Sequence, residues 1–329
     1  MLVSVEQSRA VSYIGHATIV AVPGSGKTRT LIAKAVAMVK AGYTQIGIVS
    51  FTNASAKELR QRLHAELTET VADRVVTVAT FHSMMLNHIR GHVSGMGLVS
   101  PQFETTHMLS VLKKHGLKSA DLDDFSQYLN AESSERLETD RFFEPWSDYL
   151  NELLQNQQIT LSNVIEFGLQ MIVAGKLPPL PFTDIFVDEF QDTDEPQLKL
   201  LLAHAMMNIN IIAVGDDDQA IYKFRGGLGV RAFWTLMDNV KGQEFVLSTN
   251  YRSHSEITDF ANAIIQSNKQ RIAKTLHSAK GPGGVVSLTR YATPYDEAES
   301  VCASVKRVFD DEDGDIFIIA RSNAALDIY

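Results

Sequence analysis

The stretch AVPGSGKT at residues 21–28 constrains this chain more than any other. It follows an apolar, β-branched run, ATIVAV (17–22), and precedes a segment with helical spacing. A strand that turns through glycines into a helix lets backbone N–H groups approach anionic oxygens, and the helix start favours negative charge. In such a loop, here Ala21, Pro23, Gly24, Ser25 and Gly26, the following Lys27 reaches the terminal phosphates of a nucleotide and Thr28 can hold Mg2+. The expectation is a nucleotide-binding α/β fold.

Further apolar runs alternate with helical patterns: IGIVSF (46–51), VVTVAT (75–80), DIFVDE (184–189), NIIAVG (210–215) and FVLS (245–248). That rhythm predicts a parallel sheet covered on both faces. Ala56, Leu59, Leu63 and Leu67 place one apolar face on a helix expected to be capped by Asn53. A second helix is expected from Pro196. Between 91 and 181 the strand rhythm stops and helical pieces take over, which predicts an inserted helical subdomain. After Asn250 a helical stretch leads to GVVSLTR and DIFIIAR, read as strands of a second α/β domain. The expected organisation is 1–90 with 182–249, 91–181, and 250–329.

The formal charge of −9 argues against a nucleic-acid partner until its distribution is considered. Residues 121–148 carry a net −7 and residues 310–315 a further −5, so the rest of the chain is net +3. Both acidic runs are expected to be solvated surface. The single Cys302 permits no internal disulfide and points to a reducing compartment, the cytoplasm. Neither an export signal nor a membrane span is expected.

A phosphate loop needs a second group on its metal, and IFVDEFQD supplies carboxylates at a strand end. Asp188 is the expected metal ligand, and Glu189 the group that orients and deprotonates the attacking water. VGDDDQAIYKFRGG (214–227) then packs carboxylates, an amide, aromatic rings and basic residues into one short segment. Asp216 is expected to support either the metal site or Gln219, with Asp217 and Asp218 as turn and capping acids.

In order, AVPGSGKT, VSFTNASAKELRQR, VATFH, VDEFQDTDEPQ, VGDDDQAIYKFRGG and TNYRS resemble the motifs of superfamily 1 DNA helicases of the UvrD, Rep and PcrA group. Ala21, where the general loop pattern has glycine, is similar to that group's variant. The resemblance is strong over 7–90 and 184–253, weak over 91–181 and moderate over 254–329. It implies a RecA-like P-loop NTPase that moves along single-stranded DNA, 3′ to 5′, or acts at a single/double-strand junction.

It also implies roles. Gln7 reads adenine, Tyr251 stacks on it, Arg252 acts as an arginine finger, and Arg29 is a lesser nucleotide contact. Gln219 touches the γ-phosphate or its water. Tyr222, Phe224 and Arg225 meet single-stranded DNA, as do Phe51, Thr52, Asn53, Thr80, Phe81 and His82. Base stacking on such rings grips without reading sequence. The family usually has Trp where this chain has Phe224, which weakens that platform. TLHSAKG (275–281) looks like a later family motif, but it follows TNYRS too closely and is assigned to a connecting loop. The last family motifs are missing, so the chain is expected to be the amino-terminal portion of a longer protein or to be completed by a partner. The alternatives are an ATP-gated DNA-binding module that does not travel and, less well served by the aromatic residues, a small-molecule kinase.

Overall fold

The computed structural model describes residues 4–130, 137–222, 226–311 and 315–329. Phe224 and Arg225 lie outside the described residues, as do 131–136 and 312–314 of the two acidic runs. The chain divides into two compact units, 1–282 and 283–329.

In the first unit, strands β1 (Ala17–Ala21), β2 (Ile46–Ser50) and β3 (Val76–Thr80) are followed by the short β4 (Gly97–Leu98) and β5 (Gln158–Ile159). Then come β6 (Asp184–Val187), β7 (Asn210–Gly215) and β8 (Gln243–Leu247). The main sheet has six strands in the order β3-β2-β6-β7-β1-β8, every neighbouring pair parallel. Parallel strands joined by crossovers have both faces covered, so successive residues go to opposite cores. Val20, Val49, Ile185, Val187, Ile211 and Ala213 enter one; Ile19, Ile48, Phe186, Ile212 and Val214 enter the other.

The second of these cores is closed by α1 (Val5–Ser12), α2 (Lys27–Lys40), α3 (Asn53–Glu66) and α4 (Glu69–Val75), through residues such as Ala10, Leu31, Leu59 and Val75. After α5 (Phe81–His92), helices α6 (Pro101–Lys114), α7 (Leu122–Asn130) and α8 (Phe143–Gln155) bury their own core of Val111, Leu112, Phe125, Phe142, Tyr149 and Leu153. Helix α9 (Val164–Val173) returns to the sheet. With α5, α10 (Glu195–Met206) and α11 (Val230–Asn239) it closes the first core, through Met85, Ile165, Leu201 and Phe233.

Two helix starts differ from the sequence reading. Thr52, not Asn53, caps α3: its extended backbone lets the hydroxyl accept from Ser55 N at 3.1 Å, which makes Asn53 the first helical residue. Helix α10 begins at Glu195, one residue before Pro196, because Asp194 and Gln197 form a reciprocal capping box.

Strand β9 (Thr249–Asn250) leads into α12 (Ser255–Ile265), and β10 (His277–Ser278) pairs in parallel with β9. TLHSAKG is therefore tied to TNYRS by backbone hydrogen bonds, which corrects its reading as a mere connecting loop.

In the second unit, Thr293 and Asp296 exchange hydrogen bonds at the start of α13 (Pro294–Asp311). GVVSLTR and DIFIIAR, expected as strands, pair with no strand among the described residues. An apolar alternating run becomes a strand only when a neighbouring backbone takes up its N–H and C=O groups. Among the described residues no helix is long and apolar enough to cross a membrane.

Candidate functional site

The phosphate loop leaves β1 at Ala21, whose side chain is buried in the core. Ser25 folds the turn back, its hydroxyl donating to Val22 O at 2.7 Å. Gly24 (φ +68°) and Gly26 (φ +82°) occupy the left-handed region that disfavours side chains. Space demands glycine there as well. A Cβ on Gly24 would stand 2.8 Å from Arg252 Cβ and from Asn250 Nδ2, and one on Gly26 would stand 2.7 Å from Gln7 Nε2. Gly26 caps α2, whose first turn carries no acid and no side-chain cap. The uncapped N–H groups make this helix start an anion site.

Two outside elements grip the loop. Gln7 is buried on α1; its Nε2 donates to Ser25 O at 2.8 Å, while its Oε1 accepts from Ser4 N at 2.9 Å. Glu6 on the same helix accepts from Ser248 N and Oγ. The carboxy-terminal carbonyls of α1 are held by Lys34 of α2, whose Nζ donates to Ala10 O at 3.1 Å and to Tyr13 O. From the other side, Asn250 Nδ2 donates to Pro23 O at 2.7 Å and Tyr251 N donates to Gly24 O at 3.0 Å. Asn250 Oδ1 accepts from Arg252 N and Ser253 N, so one buried amide fixes the TNYRS turn against the loop. Tyr251 and Arg252 remain exposed, as do Pro23 and Arg29, while Thr28 is half-buried.

Lys27 Nζ lies 3.3 Å from Glu189 Oε2. Glu189 sits at φ 50°, ψ 47°, a left-handed conformation that a non-glycine residue adopts at a cost of about 1–3 kcal/mol. The next link is Gln191: its Nε2 donates to Glu189 Oε2 at 2.8 Å, and its Oε1 accepts from Asp216 N at 2.9 Å. Asp216 Oδ2 accepts from Gln219 Nε2 at 2.5 Å. One ion pair and three hydrogen bonds thus link Lys27 through Glu189, Gln191 and Asp216 to Gln219.

Asp188 Oδ1 is buried and without a hydrogen-bond partner among the described residues. Burial pushes the Asp188 carboxyl up to about 7; Glu189 adds to the rise and Lys27 opposes it. Burial, then Glu189, raises Asp192 to about 6. An orphaned carboxylate oxygen that feels the Lys27 charge, with the Thr28 hydroxyl next to Lys27 in sequence, offers hard oxygen donors of the kind Mg2+ takes, so the residues present fit that ion.

Asp217 and Asp218 are not turn caps. They pair with Lys274 and Arg271, and Asp217 Oδ2 also accepts from Ile272 N at 2.7 Å. The acids face a cationic segment distant in sequence, a partnership that local turn rules do not contain.

A cavity of about 220 Å³ opens beyond β2 and β3, lined by Phe51, Thr80, Phe81, His82, Asp192 and Tyr222 among others. The Phe51 and Tyr222 rings lie 5.3 Å apart at 30°. Thr52 and Asn53 are exposed at the start of α3. Thr80 caps α5, accepting from Ser83 N at 3.2 Å, and Phe81 is largely buried in the core. Burial lowers the pKa of His82.

The sequence reading missed Glu6, Lys34, Gln191, Asp192, Asn250, Arg271 and Lys274. Lys34 had a signal: it interrupts the apolar face formed by Leu31, Ala35 and Met38, where a lysine needs a buried partner. Gln191 and Asn250 lie inside recognised motifs, but only the fold shows what their amides join.

A parallel sheet with a phosphate loop at its first strand and two carboxylates at a neighbouring strand end defines a P-loop NTPase. Comparison narrows the class. The profile of the UvrD/REP helicase N-terminal domain matches residues 3–172 and 99–229, and that of the UvrD-like helicase C-terminal domain matches 245–327. The chain belongs to the UvrD/Rep helicase family. It is 28% identical to an ATP-dependent DNA helicase PcrA of Leuconostoc citreum, over 94% of this chain and 45% of the relative. Identity is also 28% to an ATP-dependent DNA helicase Rep of Buchnera aphidicola, over 100% of this chain and 53% of the relative. A DNA helicase II of Haemophilus influenzae shares 28% over 92% and 45%. The chain spans about half the length of these relatives.

Proposed function

We propose that this chain hydrolyses ATP to drive movement along single-stranded DNA, 3′ to 5′ as the family resemblance implies, up to a single/double-strand junction. The observation that carries this reading is the line Lys27, Glu189, Gln191, Asp216, Gln219. It leads from the phosphate loop into the segment that bears Tyr222, whose ring lies against Phe51 at the cavity beyond β2 and β3. A change at the phosphates therefore has a short physical route to the aromatic surface.

In this reading the N–H groups of Gly24, Gly26 and Lys27 and the Lys27 ammonium bind the phosphates. Glu189 orients the attacking water and takes its proton. Gln219 touches the γ-phosphate or that water, and Arg252 stabilises the charge that develops. Asp188 and Thr28 would hold Mg2+, which supplies charge neutralisation on the phosphates when bound. Gln7 and Tyr251 flank the adenine, with Arg29 nearby; Gln7 has to exchange one of its present amide partners to read the base. Phe51, Thr52, Asn53, Thr80, His82 and Tyr222 line the DNA path, with Phe81 supporting it from the core.

Residues 1–90 and 182–249 form the first motor domain, 91–181 its helical insertion and 250–329 the start of the second. A further segment or a protein partner would complete that second domain, since the matched relatives are about twice as long. The setting is the cytoplasm, where the exposed thiol of Cys302 stays reduced.

The test is ATP turnover with and without single-stranded DNA. Strong stimulation is expected. DNA binding with negligible turnover would make the chain an ATP-gated binding module, and turnover indifferent to DNA would remove nucleic acid from the reading.

A further inference from the structure

Asp216, Asp217 and Asp218 bring carboxylate oxygens within 4.8 Å of one another. Buried carboxylates at that density need cations among them, and here the chain provides its own. Lys274 Nζ stands 3.3 Å from Asp216 Oδ1 and 2.7 Å from Asp218 Oδ2, and it also pairs with Asp217. The Lys274 side chain is 1% exposed, so the carboxylates rather than water hold its charge. Arg271 grips Asp218 through two N–H groups at 2.9 and 2.6 Å. The ammonium sits where a metal would sit in such a cluster, which removes the acid triplet as a cation site.

The two oxygens of Asp216 do different things. Oδ1 faces Lys274 and accepts from Asp218 N at 3.2 Å, and Oδ2 holds the Gln219 amide at 2.5 Å. Residues 271–274 also lead directly into β10, which pairs with β9 of the TNYRS turn, and Asn250 of β9 hangs on the phosphate loop. One segment therefore braces both the Gln219 side and the Arg252 side of the nucleotide site.

We infer that Lys274 is a positioning residue for hydrolysis: by neutralising and fixing the Asp216 carboxylate, it aims the Gln219 amide at the phosphates. Without the ammonium, the buried Asp216 carboxylate keeps only the Asp218 N–H on Oδ1 and loses its counter-charge, so its hold on the Gln219 amide changes. The inference rests on the proposed ATP hydrolysis.

The experiment measures DNA-stimulated ATP turnover of the full chain against ATP concentration. Lys274→Met should lower kcat by about 10- to 100-fold, the range seen when a partner orienting a metal-site ligand is lost, with KM for ATP little changed. In a Gln219→Ala background the same substitution should add almost nothing, because the two act through one path. Lys274→Met combined with Asp217→Asn removes one charge of each sign and guards against simple misfolding. It should melt near the parent temperature yet stay slow. Parent-like kcat in that folded double variant, or full additivity with Gln219→Ala, would overturn the positioning role. A parent chain that turns over no ATP at all would instead fail the hydrolysis reading itself.

Discussion

Lys34 gives a prediction whose size follows from its surroundings. Its side chain is buried on α2, and burial lowers its pKa from 10.5 to about 8 against the opposing pull of Asp184. Between those two values the unfolded chain binds more protons than the folded one, so stability rises with pH across the window. Below about pH 8 both states are protonated and the cost of burying the charge is fully present; above about pH 10.5 it is gone. Integrating the shift from about pH 7.5 to about pH 10 gives a gain of about 2 kcal/mol from this residue alone. Other groups titrate in the same range, so the measurement is a difference. Urea unfolding of the parent and of Lys34→Met, followed by circular dichroism at both pH values, should show the stability gap shifting by about 2 kcal/mol in the parent's favour as pH rises. A gap that stays constant with pH would refute the claim that Lys34 is charged and desolvated at neutral pH. Since Lys34 ties α1 to α2, the variant should also bind ATP more weakly through Gln7.

Three further outcomes are expected. Lys27→Ala should abolish ATP turnover while leaving the circular dichroism spectrum unchanged, and parent-rate hydrolysis by that variant would remove the phosphate-loop assignment. Gly24→Ala places a side chain in a left-handed conformation costing about 1–2 kcal/mol and drives it into Asn250 and Arg252; ATP affinity in equilibrium binding should fall about 10-fold or more. Tyr222→Ala should weaken single-stranded DNA binding by about 1–3 kcal/mol without altering the salt slope, which belongs to phosphate contacts. Unchanged affinity would return that ring to a structural role.

Much of the sheet is legible in the sequence because each run, from ATIVAV to NIIAVG, is β-branched, short and bounded by a turn or a helical pattern. The phosphate loop and the carboxylates of IFVDEFQD are equally plain, since their chemistry requires those residues at adjacent positions. What the sequence hides is pairing at a distance. Nothing near Asp217 predicts that its partners are Ile272 and Lys274, and nothing in the order of residues joins Asn250 to Pro23; only the fold brings them together. GVVSLTR fails for the opposite reason: its own pattern favours a strand, but pairing depends on a backbone elsewhere. Thr52 displaces Asn53 as a cap because both are good capping residues and the backbone angles choose between them.

The outside grip on the phosphate loop has an electrical consequence. Carbonyls of Pro23, Gly24 and Ser25 are each occupied by a donor from outside the loop: Asn250, Tyr251 and Gln7. In a planar trans peptide the following N–H points opposite to its carbonyl. Holding these carbonyls also fixes the N–H groups of Gly24 and Gly26 across the same peptide planes, while that of Ser25 is spent on Val22 O, so the polarity of the cradle is set by neighbours before any anion arrives.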